Sequence, residues 1–131
     1  VIPKYDVDLT VLAGDSGRTL AFGPGHRFGS VYPGENGNSI ISAHRDTHFN
    51  FLKQLSIGDS LGVQNKSGAL MQFVVVRTEI VDANKFLIQT EYSESVLSLV
   101  TCYPFDTLTT GGTKRYIVTL IEIPPRSHYS I

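Results

Sequence analysis

The 131-residue chain has one cysteine, one methionine and no tryptophan. A single cysteine excludes an internal disulfide, so Cys102 must serve packing or reactivity. No apolar stretch approaches the ~20 residues that a membrane-spanning helix needs. Excess charge is also missing. Eleven Lys and Arg against twelve Asp and Glu leave a formal net charge of −1, with no basic stripe of the kind that marks a nucleic-acid binder. Repeats, low-complexity tracts and linkers are absent. One domain, residues 1–131, is expected, at a length that supports a single core.

What the chain does have is short apolar periodicity. Tyr5, Val7, Leu9 and Val11 alternate with Asp6, Asp8 and Thr10, the period of a half-buried strand. Further strands are expected at Thr19–Phe22, Ser39–Ala43, Ser60–Gln64, Leu70–Val81, Ser95–Thr101 and Lys114–Ile123. Clusters such as Gly14-Asp15-Ser16-Gly17, Pro33 to Asn38 and Asn65-Lys66-Ser67-Gly68 supply turn chemistry between them. Asp46 or Thr47 is placed to cap a short helix running from Phe49 to Leu55. Pro124-Pro125-Arg126 reads as the end of the fold. The fold class is therefore all-β with short helical insertions. Seven or eight short strands point to a closed barrel, which would remove exposed edges.

Three residues at the ends of apolar runs suggest chemistry. Cys102 closes the run Val96 to Thr101 and is followed by Tyr103-Pro104; the proline cannot continue a central ladder, so Cys102 belongs at a strand terminus. A thiol in water is mostly protonated at neutral pH, and nucleophilic work requires a base or cation nearby. His44 ends the run Ser39 to Ala43, and Arg115 opens the run Arg115 to Ile121 with the fixed donor fork that suits a developing oxyanion. Each has a plainer reading. Cys102 can be a small buried hydrophobe. Arg115 can be a surface charge beside Lys114; alternation sends those two to opposite faces without saying which faces inward. His44 and His48 share the i, i+4 spacing of a zinc motif, but Arg45 stands where that motif needs glutamate. His26, between Gly25 and Arg27, reads as a structural or solvated loop residue.

The order His44, then Ser98-Leu99-Val100-Thr101-Cys102, then Arg115 thirteen positions later resembles the sortase family of cysteine transpeptidases. The family's word at the cysteine is Thr-Leu-x-Thr-Cys; Ser98 departs from it but keeps the hydroxyl. Leu20 to His26, Gly34 to Asn38, Ala43 to Phe49 and Thr101 to Phe105 are most similar to sortases of Gram-negative proteobacteria. The likeness covers nearly the whole chain and implies a sortase-type barrel.

The resemblance also implies roles. Cys102 would be the nucleophile, His44 the general acid and base, Arg115 the oxyanion and carbonyl donor, and Thr101 a hydroxyl contact to substrate. The partners implied are surface proteins bearing a Leu-Pro-x-Thr-Gly-like sorting signal and an amine acceptor of the cell envelope. No cofactor is implied. The enzyme would work outside the cytoplasm, tethered by an N-terminal signal anchor that this sequence has lost. Asp46 and Asp106 are candidates to orient His44. Two other classes stay open: a cysteine hydrolase using the same pair with water, and a β-barrel binding module that needs neither.

Overall fold

The computed structural model describes residues 12–13, 24–27, 29–44, 49–64, 68–85, 88–102 and 112–123. Seven strands follow in chain order: β1 Leu12–Ala13, β2 Gly25–His26, β3 Gly37–Ser42, β4 Ser60–Gln64, β5 Leu70–Asp82, β6 Ser95–Cys102 and β7 Lys114–Ile123. A 3₁₀ helix at Asn50–Gln54 lies between β3 and β4. The strands form one sheet in the order β1-β2-β3-β6-β7-β5-β4.

The central strand of the seven, β6, has the longest buried run. In β6 the stretch Ser95 to Thr101 is buried throughout. It lies between β3, paired parallel, and β7, paired antiparallel. A strand covered on both faces reads as a continuous apolar run rather than an alternation, which is how Val96-Leu97-Ser98-Leu99-Val100 reads. Alternation then sorts the side chains between two layers. Ile41, Ala43, Leu97, Leu99, Val118 and Leu120 point into the larger core, where Phe73, Val75 and Leu52 join them. Ile40, Val100 and Ile117 point the other way and pack under Val81 and Ile88.

β5 changes its facing partway along. Val75 pairs with Leu120, yet Arg77 pairs with Thr119, so one extra residue is accommodated at Val76. A bulge of this kind inverts the parity of everything beyond it. Phe73 and Val75 enter the larger core, whereas Arg77, Glu79 and Val81 stand on the opposite face.

Several sequence expectations are adjusted. Ser60–Gln64 and Lys114–Ile123 hold their expected bounds, while β5 and β6 each run one residue further and β3 is shifted toward its N-terminus. Thr19–Phe22, most of Tyr5–Leu12, the two candidate helix caps and Pro124 to Arg126 lie outside the described residues. The expected helix is a five-residue 3₁₀ segment preceded by Phe49, with no side-chain cap bond. Asn38, read as turn, is inside β3, and His26, read as loop, is in β2. The closed barrel is corrected to an open, curled sheet. Among the described residues β1 pairs only with β2 and β4 only with β5, so the two outer strands do not meet.

Candidate active site

β6 is built to deliver its last residue. Six residues from Val96 to Thr101 are buried and Cys102, at the terminus, is half-buried with a free thiol. In the antiparallel ladder Cys102 is the cross-strand partner of Arg115. Partners of this kind share a face, with Cα atoms about 4.5–5.5 Å apart. The register therefore puts Arg115 on the thiol's face and Lys114, which pairs with Asp82, on the other. Arg115 Nη1 donates to the carbonyls of Gly112 at 2.8 Å and Lys114 at 3.0 Å. These bonds hold a terminal nitrogen of the guanidinium against the start of β7.

His44 arrives from the other side. β3 and β6 run parallel with Ser42 opposite Val100. The Ala43 amide donates to the Val100 carbonyl at 3.2 Å, which is the ladder bond of one further pair, Ala43 with Thr101. Ala43 is 4% exposed in the larger core, and the exposed His44 follows it two residues past the end of β3, at the end of the sheet where β6 finishes in Cys102. Two further bonds hold that corner. Thr101 Oγ1 donates to the Ala43 carbonyl at 2.7 Å, and the Phe49 amide donates to the His44 carbonyl at 3.1 Å, with Phe49 anchored in the core. The His44 side chain is exposed. Cys102 of β6, Arg115 of β7 and, two residues past β3, His44 thus form a row at one end of the sheet, and Val81 of β5 extends it as the partner of Arg115.

Thr101, which the resemblance gives a contact to substrate, has a main-chain partner within the protein. Its hydroxyl is 3% exposed and spends its proton on Ala43, so it ties the residue before His44 to the residue before Cys102. The sequence gives no sign of this bond, since the acceptor is a main-chain carbonyl 58 residues away.

A polar strip lies beneath the row on the same face, and the sequence reading passed over its centre. Asn38 is 2% exposed. Its Oδ1 accepts from Ser98 Oγ at 2.8 Å and its Nδ2 donates to the Gln89 carbonyl at 2.8 Å. The amides of Gly37 and Asn38 donate to Glu94 and Thr90, so the segment before β6 is laced to the start of β3. The one available signal was an asparagine two residues before the apolar pair Ile40-Ile41. Ser98, noted as a departure from the family word, is the hydroxyl that completes this network.

His26 is buried with structural partners. Its Nε2 lies 2.7 Å from the Val31 carbonyl and 3.1 Å from Ser30 Oγ, and its ring stacks on Tyr32. His48, Asp46 and Asp106 lie outside the described residues. Among the described residues no three His, Cys, Asp or Glu side chains gather as a metal site, and no helix is long and apolar enough to cross a membrane.

Comparison with known proteins agrees with this geometry. Sortase D of Bacillus subtilis (strain 168) is 37% identical over 118 residues, covering 89% of this chain but 59% of that protein. The chain thus spans less than two thirds of that relative. Sortase C-1 from Streptococcus pneumoniae superposes on 95% of this chain and 65% of its own, with TM-score 0.83 and 30% identity. Sortase C-1 from Actinomyces oris gives TM-score 0.83 at 28% identity, over 95% of this chain and 72% of its own. The narrower resemblance, to Gram-negative proteobacterial sortases, finds no support in these relatives, the first of which is from a Gram-positive Bacillus. The sortase domain model matches residues 1–121, and the chain belongs to the sortase family.

Proposed function

We propose that the chain is a cysteine transpeptidase that cuts a Leu-Pro-x-Thr-Gly-like sorting signal and joins the upstream protein to an amine of the cell envelope, outside the cytoplasm. One observation carries the reading: Cys102 and Arg115 are cross-strand partners, and β3 runs beside β6 as far as Ser42 opposite Val100, two residues before His44. In the first half-reaction the Cys102 thiolate attacks the scissile carbonyl carbon. The carbonyl electrons move to oxygen, where Arg115 donors stabilise the charge. The C–N bond then breaks, the leaving amine takes a proton from His44, and a thioester remains on Sγ. In the second, an incoming amine attacks the thioester and loses its proton to His44. The C–S bond breaks and the thiolate returns.

Thr101 acts in this scheme as a positioning residue, through the bond that holds the Ala43–His44 corner against β6. The free, half-buried thiol at a strand end supports an enzyme over a binding module. The test is incubation of the protein with a Leu-Pro-x-Thr-Gly peptide and a panel of amines, read by mass spectrometry. The expected products are a thioacyl adduct on Cys102 and an amide whose yield follows the added amine. Acid product alone, at every amine concentration, would make the enzyme a hydrolase.

A further inference from the structure

The row of His44, Cys102 and Arg115 stands at one end of the sheet, and the same face continues below it for several residue pairs. There it carries a groove of about 300 Å³. Its floor is Ser98, Ile117 and Thr119, with Asn38 at one side. Ile88, Gln89 and Tyr92 form the wall on the side of the segment before β6. Arg77 and Glu79 form the wall on the side of β5. The charged wall exists because of the bulge at Val76, which turns these two residues onto the thiol's face. Without that extra residue Arg77 and Glu79 would point to the side of the larger core.

The pair is built for a ligand of definite sign. Arg77 Nε lies 3.6 Å from Glu79 Oε1, and the side chains are 55% and 30% exposed. Glu79 is the more sheltered partner, and its carboxylate already faces a cation. Arg77 is the more open partner, and the contact uses Nε. A guanidinium grips a carboxylate through a planar fork of donors, so a second carboxylate can be taken on its open side. The groove therefore offers a positively charged, pre-oriented donor in its wall, and between that donor and the thiol the half-buried Val81 and Ile88 pack over Ile117.

Position sets how many residues of an extended substrate separate Arg77 from the attacked carbonyl. Arg77 pairs with Thr119, which pairs with Ser98, four residues before Cys102. Four residues along a strand are about 13 Å, and two strands across are about 10 Å, so Arg77 is roughly 16 Å from the thiol. An extended peptide advances about 3.4 Å per residue, so this distance corresponds to the fifth residue counted from the attacked carbonyl. The acyl side is the half that a transferase must keep. The leaving amine departs after the first step, whereas the upstream segment has to remain seated until an acceptor arrives.

We propose that Arg77, oriented by Glu79, forms an upstream subsite that selects donor peptides carrying an acidic side chain at the fifth residue from the scissile carbonyl. The inference rests on the transpeptidase reading above and adds a specificity to it. The experiment compares donor peptides identical from the fourth residue onward and bearing Asp, Asn or Lys at the fifth. It measures kcat/KM for cleavage at low and high ionic strength. The Asp peptide is expected to be favoured over Asn by about fivefold, the scale of a partly exposed charge-assisted contact, and salt should erode the ratio. Arg77→Gln should bring the Asp-to-Asn ratio to about one, Arg77→Glu should turn the preference toward Lys, and Arg77→Lys should retain part of it. Each variant's fold is checked by circular dichroism, and the ratio within one variant is insensitive to the amount folded. Equal processing of all three peptides by the unaltered protein overturns the subsite and leaves the transpeptidase reading standing. Processing of none of them overturns both. A preference for Asp that survives Arg77→Glu moves the selectivity to another residue and overturns the assignment.

Discussion

The two faces of the sheet are made from the same strands and follow opposite rules. On one face Leu97, Leu99, Val118 and Leu120 meet Phe73, Val75 and Leu52, and nearly every buried group is hydrocarbon. On the other, three apolar residues, Ile40, Val100 and Ile117, are set among Asn38, Ser98, Thr119, Arg77 and Glu79, with His44, Cys102 and Arg115 at the end. The first face provides cohesion, because burial of apolar area is proportional and undirected. The second provides direction, because each polar group there is aimed by a register position or a named hydrogen bond. A rigid apolar layer behind a strand is what lets the residue at its end be held to the tolerance that chemistry needs.

If the faces divide the work in this way, substitutions should divide too. The largest effect belongs to Cys102→Ala. Peptide cleavage and amine transfer should both vanish while thermal unfolding changes little, since the thiol is half-buried at a strand terminus. Transfer activity retained in a folded Cys102→Ala protein would remove the catalytic role from this row. The mirror experiment is Phe73→Ala, on a ring with no exposure in the larger core. It should cost about 3–5 kcal/mol by denaturant unfolding, the range for emptying an aromatic site. A loss below about 1 kcal/mol would mean that this face is not the cohesive one.

Arg115 against Lys114 tests the register itself. Both are basic and adjacent, yet Arg115 is opposite Cys102 and Lys114 opposite Asp82. Arg115→Ala should lower kcat by roughly 10²–10³, as removal of one oxyanion donor does, and Arg115→Lys should recover little of it. Lys114→Ala should stay within about 0.5 kcal/mol in stability and near full activity. The reverse ranking would turn β7 over and place the wrong face toward the thiol.

The same comparison explains which features were legible in the sequence. β6 and β7 could be read nearly to the residue, because a run such as Val96 to Val100 has only one packing solution between two neighbours. Cys102, His44 and Arg115 could be marked because each ends or opens such a run. The parity of β5 could not be read. Val74, Val75 and Val76 are alike to any pattern, so the sequence is silent about which of them is the extra residue. The side on which Arg77 and Glu79 stand follows from that residue alone. Nor could an open sheet be told from a closed barrel, because closure depends on whether β1 and β4 meet, a contact between distant parts of the chain. Gly37 was read as turn chemistry. It starts β3 at φ +121, and a Cβ there would lie 3.3 Å from the Thr90 carbonyl, so the glycine admits the segment that walls the groove.

Thr101 joins the two faces, since its side chain is in the cohesive layer while its bond sets the row of the other. Thr101→Val keeps the shape and removes the donor to Ala43. It should cost about 1–3 kcal/mol of stability, the desolvation cost of an orphaned buried carbonyl. It should also lower kcat more than it raises KM, since it loosens His44 relative to Cys102. Thr101→Ser, which keeps the hydroxyl, should restore most of kcat. A variant with normal kcat and reduced stability would make the bond purely structural.

The smallest effect comes from a hydroxyl on the cohesive face. Ser39 pairs with Leu97 and shares the orientation of Ile41 and Ala43, yet its hydroxyl is buried without a hydrogen-bond partner among the described residues. A buried hydroxyl without a partner carries its desolvation cost uncompensated. Ser39→Ala removes that cost and leaves a void no larger than one oxygen. Stability should therefore rise by about 1 kcal/mol, with kcat and KM unchanged because the side chain faces away from the row. The measurement is the shift in denaturant midpoint at constant slope. A clear loss of stability would show that the hydroxyl is satisfied in solution by a directed polar contact.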